Sequence, residues 1–417
     1  MKYGLIGKKL IHSMSPLIHS LLGNNEYGLL ELKEEELDSF FSIRDFKGIN
    51  VTIPYKEKVI EYLDYIDDNA KRIGSVNTII NKNGKLYGYN TDYLGFKELL
   101  TSSHYEVEGK KVLILGSGGT SKTVNTLLKD LRAKEIKIVS RVANDNKISY
   151  EDALKEIDTQ VIINTTPVGM FPDTAKYPIS LIDFNKLEAV FDVIYNPLKT
   201  RLVGFAKRKR IIGVGGLKML VSQAIYAHEL FFDTKVDENT KNKVFKKVEK
   251  KLLNIILIGM PGCGKSTIAK FLGENLNKKV IDLDYEVEKY AKKSIKDIFA
   301  ESGEEHFRQL ETKMTRFYAK ETGQIISTGG GIIKDKKNIE MLRQNGLIIY
   351  INRDINLFEE PKNDKRPLSK SKSDIERLYQ ERHHLYVRYA DVVVKNNTKF
   401  IDCAIKIKEG FDEDNDY

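Results

Sequence analysis

The sequence predicts an α/β protein built on parallel sheets, with an N-terminal unit of two domains and a C-terminal unit of one. Three observations carry that expectation. Short apolar runs end in glycine and lead into helical patterns at 2–7, 110–131 and 253–276, which is the strand–turn–helix alternation of layered α/β domains. These runs are apolar without alternation, as strands buried on both faces are. At 417 residues the chain exceeds what one hydrophobic core holds, so two or three domains are required.

Composition narrows the function classes. Hydrophobic residues make up 41% and charged residues 30%, which excludes a disordered chain. Lys plus Arg number 68 against 59 Asp plus Glu, a net charge of +9. The lysines are scattered, so the excess reads as a solvated surface that suits small anionic substrates, and no nucleic-acid partner is expected. Two cysteines, Cys263 and Cys403, exclude a disulfide framework and fit a reducing compartment. The first residues lack an apolar signal segment, and no apolar run approaches the roughly 20 residues of a membrane span. The expectation is a cytoplasmic enzyme without a membrane partner. Monomer and homodimer both stay open.

Taken in order, the first strand at 2–7 is followed by HSMSP (12–16), where Ser13 and Ser15 offer hydroxyls to a carboxylate and Pro16 starts a helix. NVTIPYK (50–56) again ends a strand. A helix is predicted from Pro54, with Lys56 in its first turn, where the helix dipole opposes a positive charge and suits a lysine that gives and takes a proton. GSVNT (74–78) and GYNTD (88–92) supply the Asn77 amide and the Asp92 carboxylate. Singly, each of these is equally an ordinary turn or cap.

The strand at 111–115 runs into Gly116, Ser117, Gly118, Gly119, Thr120 and Ser121, which open a helix. A glycine turn there lets the backbone approach a pyrophosphate at a helix N-terminus. The next strand, EIKIVSR (135–141), ends in Ser140 and Arg141 where an NAD site places an acid. Arg141 pairs with a 2′-phosphate, so NADP(H) is expected. The stretch 236–253 has helical spacing on a charged background and puts a boundary near 250.

Together HSMSP, NVTIPYK, GSVNT, GYNTD, GSGGTSK (116–122), NTTPVGM (164–170), DVIYNPLKT (192–200) and GGLKMLVSQA (215–224) resemble shikimate dehydrogenase, in the family's order, over about residues 1–250. The resemblance implies NADPH-dependent reduction of 3-dehydroshikimate. It implies a substrate domain at 1–100 with a return segment at 215–250, and a Rossmann-like NADP domain at 101–214. Ser13 and Ser15 would hold the carboxylate, with Tyr195 near it. Thr52, Asn77, Asp92 and Gln223 would bond the ring hydroxyls. Lys56, paired with Asp92, would be the acid/base group, and Thr165, Met170 and Met219 would flank the nicotinamide. Where the family shows Asn-Arg-Thr and a further basic residue, this chain has Ser140-Arg141-Val142-Ala143-Asn144. A quinate/shikimate dehydrogenase using NAD is the rival reading of this half.

The C-terminal part begins with GMPGCGKST (259–267), a Walker A sequence between strand and helix. The backbone around Gly262, Cys263 and Gly264 cradles phosphates, Lys265 reaches the β and γ oxygens, and Ser266 binds Mg²⁺ of ATP, with Thr267 beside it. In DLD (282–284) a strand places Asp282 and Asp284 on one face. One carboxylate holds the metal, and the other accepts a hydroxyl proton. With EEHFRQLE (304–311), TGGG (328–331), KRPLS (365–369) and ERHHLY (381–386), this part resembles shikimate kinase over 252–417. The resemblance assigns substrate contacts to Asp284, Arg308, Gly330 and Arg382, phosphate closure to Arg366, and support of the arginines to Glu311. Glu359 and Pro361 stand where an Arg commonly precedes the lid, and His383-His384 replaces a more usual His/Ser-Pro. The whole chain then reads as a bifunctional enzyme of the shikimate pathway. A nucleotide-sensing domain that regulates the dehydrogenase is the alternative for the second half.

Overall fold

The computed structural model describes residues 1–10, 13–358 and 371–412. His12 and Arg366, with the rest of KRPLS, lie outside the described residues. The chain divides into two compact units between Glu249 and Lys250.

The first unit holds two sheets. Strands β1 (Tyr3–Gly7), β2 (Tyr27–Glu31), β3 (Gly48–Val51), β4 (Tyr65–Ile66), β5 (Thr78–Lys82) and β6 (Lys85–Tyr89) lie in the order β2-β1-β3-β5-β6-β4. β1 runs parallel to β2 and β3, while β3–β5 and β5–β6 are antiparallel, so this sheet is mixed rather than purely parallel. The antiparallel part comes from a hairpin turned by Asn83 and Gly84, both at positive φ. Asn-Gly adopts that conformation at little steric cost and matches the strand twist. The second sheet, of β7 (Lys111–Leu115), β8 (Glu135–Val139), β9 (Val161–Asn164), β10 (Ala189–Asp192) and β11 (Ile212–Val214), is parallel in the order β11-β10-β9-β7-β8.

The helices Thr91–Ser102 and Leu217–Phe232 cross closely. Gly95 permits it: a Cβ there would lie 2.8 Å from the Met219 carbonyl oxygen and 2.9 Å from the Gln223 Cβ. The other side of Thr91–Ser102 buries Phe96, Leu99 and Leu100 with Val112, Ile114 and Phe191 of the second sheet. One helix thus anchors Asp92 in its first turn to both layers.

The second unit has one parallel sheet of β12 (Asn254–Ile258), β13 (Lys279–Asp282), β14 (Gln324–Ser327), β15 (Gly346–Asn352) and β16 (Val392–Lys395), ordered β13-β14-β12-β15-β16. Ile255 to Ile258 are fully buried, each contributing about 1.5–3 kcal/mol. The helix Glu238–Leu252 leads into β12 across the division. Its last carbonyls are held by the Lys278 ammonium, which donates to the oxygens of Lys250 (2.8 Å), Lys251 (3.4 Å) and Leu253 (2.9 Å). Burial, then the Lys251 charge, lowers the Lys278 pKa to about 8. Among the described residues no helix is long and apolar enough to cross a membrane.

Two local expectations need correction. No α-helix begins at Pro54. Residues 53–57 form turns and a 3₁₀ helix follows at Lys58–Tyr62. The Tyr55 amide donates to the Thr52 oxygen, a single four-residue bond joins Val59 to Tyr55, and Ile60 and Leu63 donate three residues back to Glu57 and Ile60, so Lys56 lies in a turn ahead of the 3₁₀ helix rather than in the first turn of an α-helix. Asp282 and Asp284 do not share a strand face either. Asp282 ends β13 and caps the helix Leu283–Ala291, accepting from the Asp284 (3.2 Å) and Tyr285 (3.4 Å) amides, which puts Asp284 in the first helical turn.

Gly95→Val forces a branched side chain against the Met219 carbonyl. We expect denaturant unfolding of the chain to show a loss of about 1–3 kcal/mol. An unchanged midpoint would mean the helix pair opens freely.

Candidate active sites

In the first unit the Lys56 ammonium donates to Asp92 Oδ2 at 2.6 Å, with side chains 16% and 9% exposed. The site therefore holds an ion pair that is mostly shielded from water yet reachable. Asn77 Oδ1 accepts from the Thr91 amide (2.7 Å) and from the hydroxyls of Thr78 and Thr91 (both 3.2 Å). Asn50 Nδ2 donates to Thr78 Oγ1 (3.0 Å) and to the Asn77 oxygen (3.3 Å), and its Oδ1 takes the Tyr27 hydroxyl at 2.7 Å. Asn50, Asn77, Thr78 and Thr91 are all buried. They fix the start of the helix that carries Asp92 and so aim the Lys56–Asp92 pair.

The remaining predicted residues take their places as follows. Ser13 Oγ accepts from the Ser15 amide at 3.3 Å, and Ser15 is buried at the start of the helix Ser15–Leu21. Thr52 directly follows β3. Gln223 lies on the Gly95 crossing, its amide donating to the Leu220 oxygen at 2.9 Å. Burial pushes the Tyr195 hydroxyl pKa up. Met219 is buried in the core beneath the second sheet, while Met170 is exposed. Thr165 donates its hydroxyl to the Leu115 oxygen at 2.7 Å, tying the ends of β7 and β9.

At the glycine turn Gly116 has φ +107°, and a Cβ there would meet Thr165 Oγ1 at 2.8 Å. The helix Gly119–Asp130 starts immediately after. The hydroxyls of Ser75 and Ser121 are buried with no hydrogen-bond partner among the described residues, and Ser75 Oγ would lie 3.4 Å from a Gly119 Cβ. A tight turn at a helix N-terminus with two unused hydroxyls beside it fits a dinucleotide phosphate group. Ser117 and Ser140 hydroxyls meet at 3.3 Å, and Arg141 stands exposed beyond β8.

The sequence reading missed Asp192. This buried carboxyl accepts from Thr200 Oγ1 (2.7 Å), Asn164 Nδ2 (3.0 Å) and the Ile194 amide (3.1 Å), and burial raises its pKa to about 6. It secures the loops that carry Thr165 and Tyr195. Asp192 opens the quoted stretch DVIYNPLKT and closes an apolar strand just before a turn, but nothing in the sequence gave it a role of its own.

In the second unit a cavity of about 350 Å³ is lined by the Walker A turn, Asp284, Arg308, Glu311, Gly329 to Gly331 and Arg382. Lys265 Nζ donates to the Gly259 (2.8 Å) and Met260 (3.0 Å) oxygens, holding the turn closed upon itself. Ser266 Oγ donates to Asp282 Oδ2 at 2.6 Å. A hydroxyl and a carboxylate beside a phosphate turn are a hard oxygen set that fits Mg²⁺. Arg308 donates through Nη1 to Glu311 Oε2 (2.8 Å), and Arg382, 2% exposed, donates to the Gly330 oxygen (3.1 Å).

Each glycine of the turn after β14 is demanded by space. A Cβ at Gly329 would lie 2.6 Å from Asp284 Oδ1 and 2.8 Å from Glu311 Oε1, at Gly330 2.7 Å from Pro261, and at Gly331 2.2 Å from Arg308 Nη2. Burial, then the Glu311 and Asp282 charges, raises the Asp284 pKa to about 7, against Lys265 and Arg308. A carboxyl with its proton affinity so raised can take up and release a proton near neutral pH.

Fold and sites together define a nucleotide-dependent oxidoreductase unit followed by a P-loop phosphotransferase unit. The family model for the shikimate dehydrogenase substrate binding domain matches residues 5–79, and that for shikimate kinase matches residues 261–409. A shikimate dehydrogenase (NADP(+)) of Clostridium beijerinckii is 41% identical over 251 residues, covering 56% of this chain and 93% of that protein. Among solved structures, a chorismate mutase/shikimate 5-dehydrogenase fusion protein from Clostridium acetobutylicum matches at TM-score 0.56 and 37% identity, over 60% of this chain and 97% of that one. The shikimate 5-dehydrogenase of Thermus thermophilus in complex with NADP(H) and shikimate matches at TM-score 0.53 and 28% identity, over 59% and 99%. The chain belongs to the shikimate dehydrogenase family through its first unit and carries a shikimate kinase domain as its second.

Phosphoryl transfer by the second unit is expected to rise with pH through about 7 and level off above. The raised Asp284 carboxyl must lose its proton before it accepts one from a hydroxyl, so activity is lost on the acid side. Measuring kcat/KM for the acceptor between about pH 5.5 and 8.5 at saturating MgATP reads that ionisation in the enzyme before the acceptor binds. A flat profile would remove Asp284 from the proton transfer.

Proposed function

We propose that this chain catalyses two consecutive reactions: NADPH-dependent reduction of 3-dehydroshikimate to shikimate in the first unit, and ATP-dependent phosphorylation of shikimate to shikimate 3-phosphate in the second. The observation that carries the reading is the convergence, in one cavity, of a phosphate turn with Lys265 and Ser266, a carboxyl of raised pKa and two arginines, with Asp282 bonded to Ser266 at its edge. It stands on the same chain as a shielded Lys56–Asp92 pair. A mere nucleotide sensor has no use for Asp284, Arg308 and Arg382 around the phosphate turn.

In the reduction, Ser13 and Ser15 hold the substrate carboxylate, and Thr52, Asn77 and Gln223 orient the ring. The Gly116–Ser121 turn would hold the pyrophosphate of NADPH, whose nicotinamide, flanked by Thr165, Met170 and Met219, would supply the hydride when bound. Lys56 gives its proton to the carbonyl oxygen, and Asp92 holds the ammonium on line and the ring hydroxyl beside it. In the phosphorylation, Arg308 and Arg382 fix the carboxylate in bidentate fashion. Asp284 takes the hydroxyl proton, and Lys265 exchanges its two loop carbonyls for phosphate oxygens. Ser266 and Asp282 would hold Mg²⁺, which would neutralise charge on the phosphates when bound. Two buried free cysteines, Cys263 and Cys403, suit a reducing cytoplasm. One tube containing 3-dehydroshikimate, NADPH and MgATP tests the whole. NADPH loss followed by ADP formation is expected, and ADP formation without a requirement for NADPH would break the sequence.

Lys56→Ala should reduce 3-dehydroshikimate turnover by about 10²–10⁴-fold and leave phosphorylation of added shikimate intact. Lys265→Ala should do the reverse. Separate assays of each variant decide, and a loss under tenfold for Lys56→Ala would demote Lys56 to a binding residue.

Arg141→Ala should raise KM for NADPH far more than for NADH, by the roughly 1.5–3 kcal/mol of one charge-assisted contact. A wild type that already prefers NADH would reverse the cofactor assignment.

A further inference from the structure

Arg308 is already occupied. Its Nη1 serves Glu311, and its Nε and Nη2 both converge on a single oxygen, Glu304 Oε1, at 3.2 and 3.0 Å. The two carboxylates differ. Glu311 is 1% exposed and fixed, whereas Glu304 is 38% exposed and directly follows Gly303, which breaks the helix Ile295–Tyr318 at φ +79°. The backbone of Gly331 lies against the Arg308 fork on one side. Lys334 stands 3.7 Å from the same Glu304 oxygen and 3.5 Å from Glu381, with its ammonium partly in water.

We infer that Glu304 is a resident carboxylate that holds the Arg308 fork while the pocket is empty, and that an incoming substrate carboxylate takes its place as Glu304 moves to Lys334. The inference rests on the kinase reading of the second unit and adds to it a competing group within the protein. The exchange has a geometric reason. One oxygen shared by two N–H groups is a poorer match to a guanidinium than two oxygens in parallel, which a substrate carboxylate provides. Lys334 supplies the counter-charge that the displaced Glu304 needs, so the exchange leaves no unpaired anion at the rim. Burial raises the Glu304 pKa, but Arg308 and Lys334 outweigh it and hold the carboxyl below its usual range; Glu304 therefore competes as an anion throughout the neutral region. The consequence is selective. A neutral ring compound has nothing with which to dislodge Glu304, while a carboxylate exchanges for it at small net cost.

The test is calorimetric binding of shikimate to the full chain, with KM from the ATP-dependent assay. Glu304→Gln keeps the shape and removes the charge. It should lower Kd and KM by about three- to tenfold, the scale of a partly exposed ion pair with charged hydrogen bonds. Glu304→Asp, which shortens the reach to Arg308, should move KM in the same direction. Lys334→Met should raise KM about two- to fivefold in the wild-type background and leave it unmoved in Glu304→Gln. If Glu304 is instead a fixed brace like Glu311, Glu304→Gln leaves KM unchanged or raises it, and Lys334→Met acts equally in both backgrounds; either result overturns the inference while the kinase reading stands. A wild-type chain that neither binds nor phosphorylates shikimate overturns the kinase reading and the inference together.

Discussion

Strand order is the constraint on which both units depend. In each of the three sheets the first strand of its domain lies inside, with later strands on both sides: β1 between β2 and β3, β7 between β8 and β9, β12 between β14 and β15. The chain leaves such a strand in one direction and returns on the other, so a crevice opens at its carboxyl end. HSMSP, the Gly116–Ser121 turn and the Walker A turn follow β1, β7 and β12. Chemistry-bearing turns therefore gather where topology leaves room for a ligand. The crevices at β7 and β12 are narrowed by glycine backbone, Gly116 against Thr165, and Gly329 to Gly331 against Asp284, Pro261 and Arg308.

The two sites use burial in opposite ways. Beneath Lys56 and Asp92 the polar groups are neutral and mutually satisfied, Asn50 to Thr78 to Thr91 to Asn77. Such a network is rigid because every unmade bond in it is costly. Around Asp284 the groups are charged and under tension. Glu311 Oε1 and Arg382 Nε are buried without hydrogen-bond partners among the described residues, and the carboxylates raise one another's proton affinity. The first arrangement orients a pair whose own chemistry does the work, and the second stores polarity for a charged substrate to complete.

Much of this was legible in the residues, and the failures are instructive. The Walker A turn and the glycine turn at 116 announce themselves because phosphate binding leaves the chain few alternatives. The Asn83-Gly84 hairpin had an equally explicit signal, yet the expectation of parallel strands passed over it. The helix expected at Pro54 failed because proline at a helix start is a preference, whereas the Thr52–Tyr55 turn is fixed by tertiary packing of the buried Tyr55, whose hydroxyl donates to the Leu32 oxygen at 2.6 Å. The pairing of Asp282 and Asp284 was expected for the wrong reason, since a cap and a first helical turn, not strand alternation, put both at the phosphate turn. Asn50, Asp192 and Glu304 stand first in the quoted stretches NVTIPYK, DVIYNPLKT and EEHFRQLE but received no role there, because what each does depends on which side chain it meets in the fold, and spacing alone does not show that.

The junction between the units also bears on how such a chain came to exist. Two genes joined end to end ordinarily leave a slack tether that drifts in length and composition. Here the joint is a helix whose last carbonyls are spoken for, those of Lys250, Lys251 and Leu253 by Lys278 and that of Leu252 by the Gly323 amide at 2.8 Å. Residues 250–253 thus belong to the architecture of the second unit while continuing a helix begun in the first. An insertion within 250–253 would draw these carbonyls away from the half-buried Lys278 ammonium and the Gly323 amide, so length changes there cost bonds of the second unit that a slack tether would not.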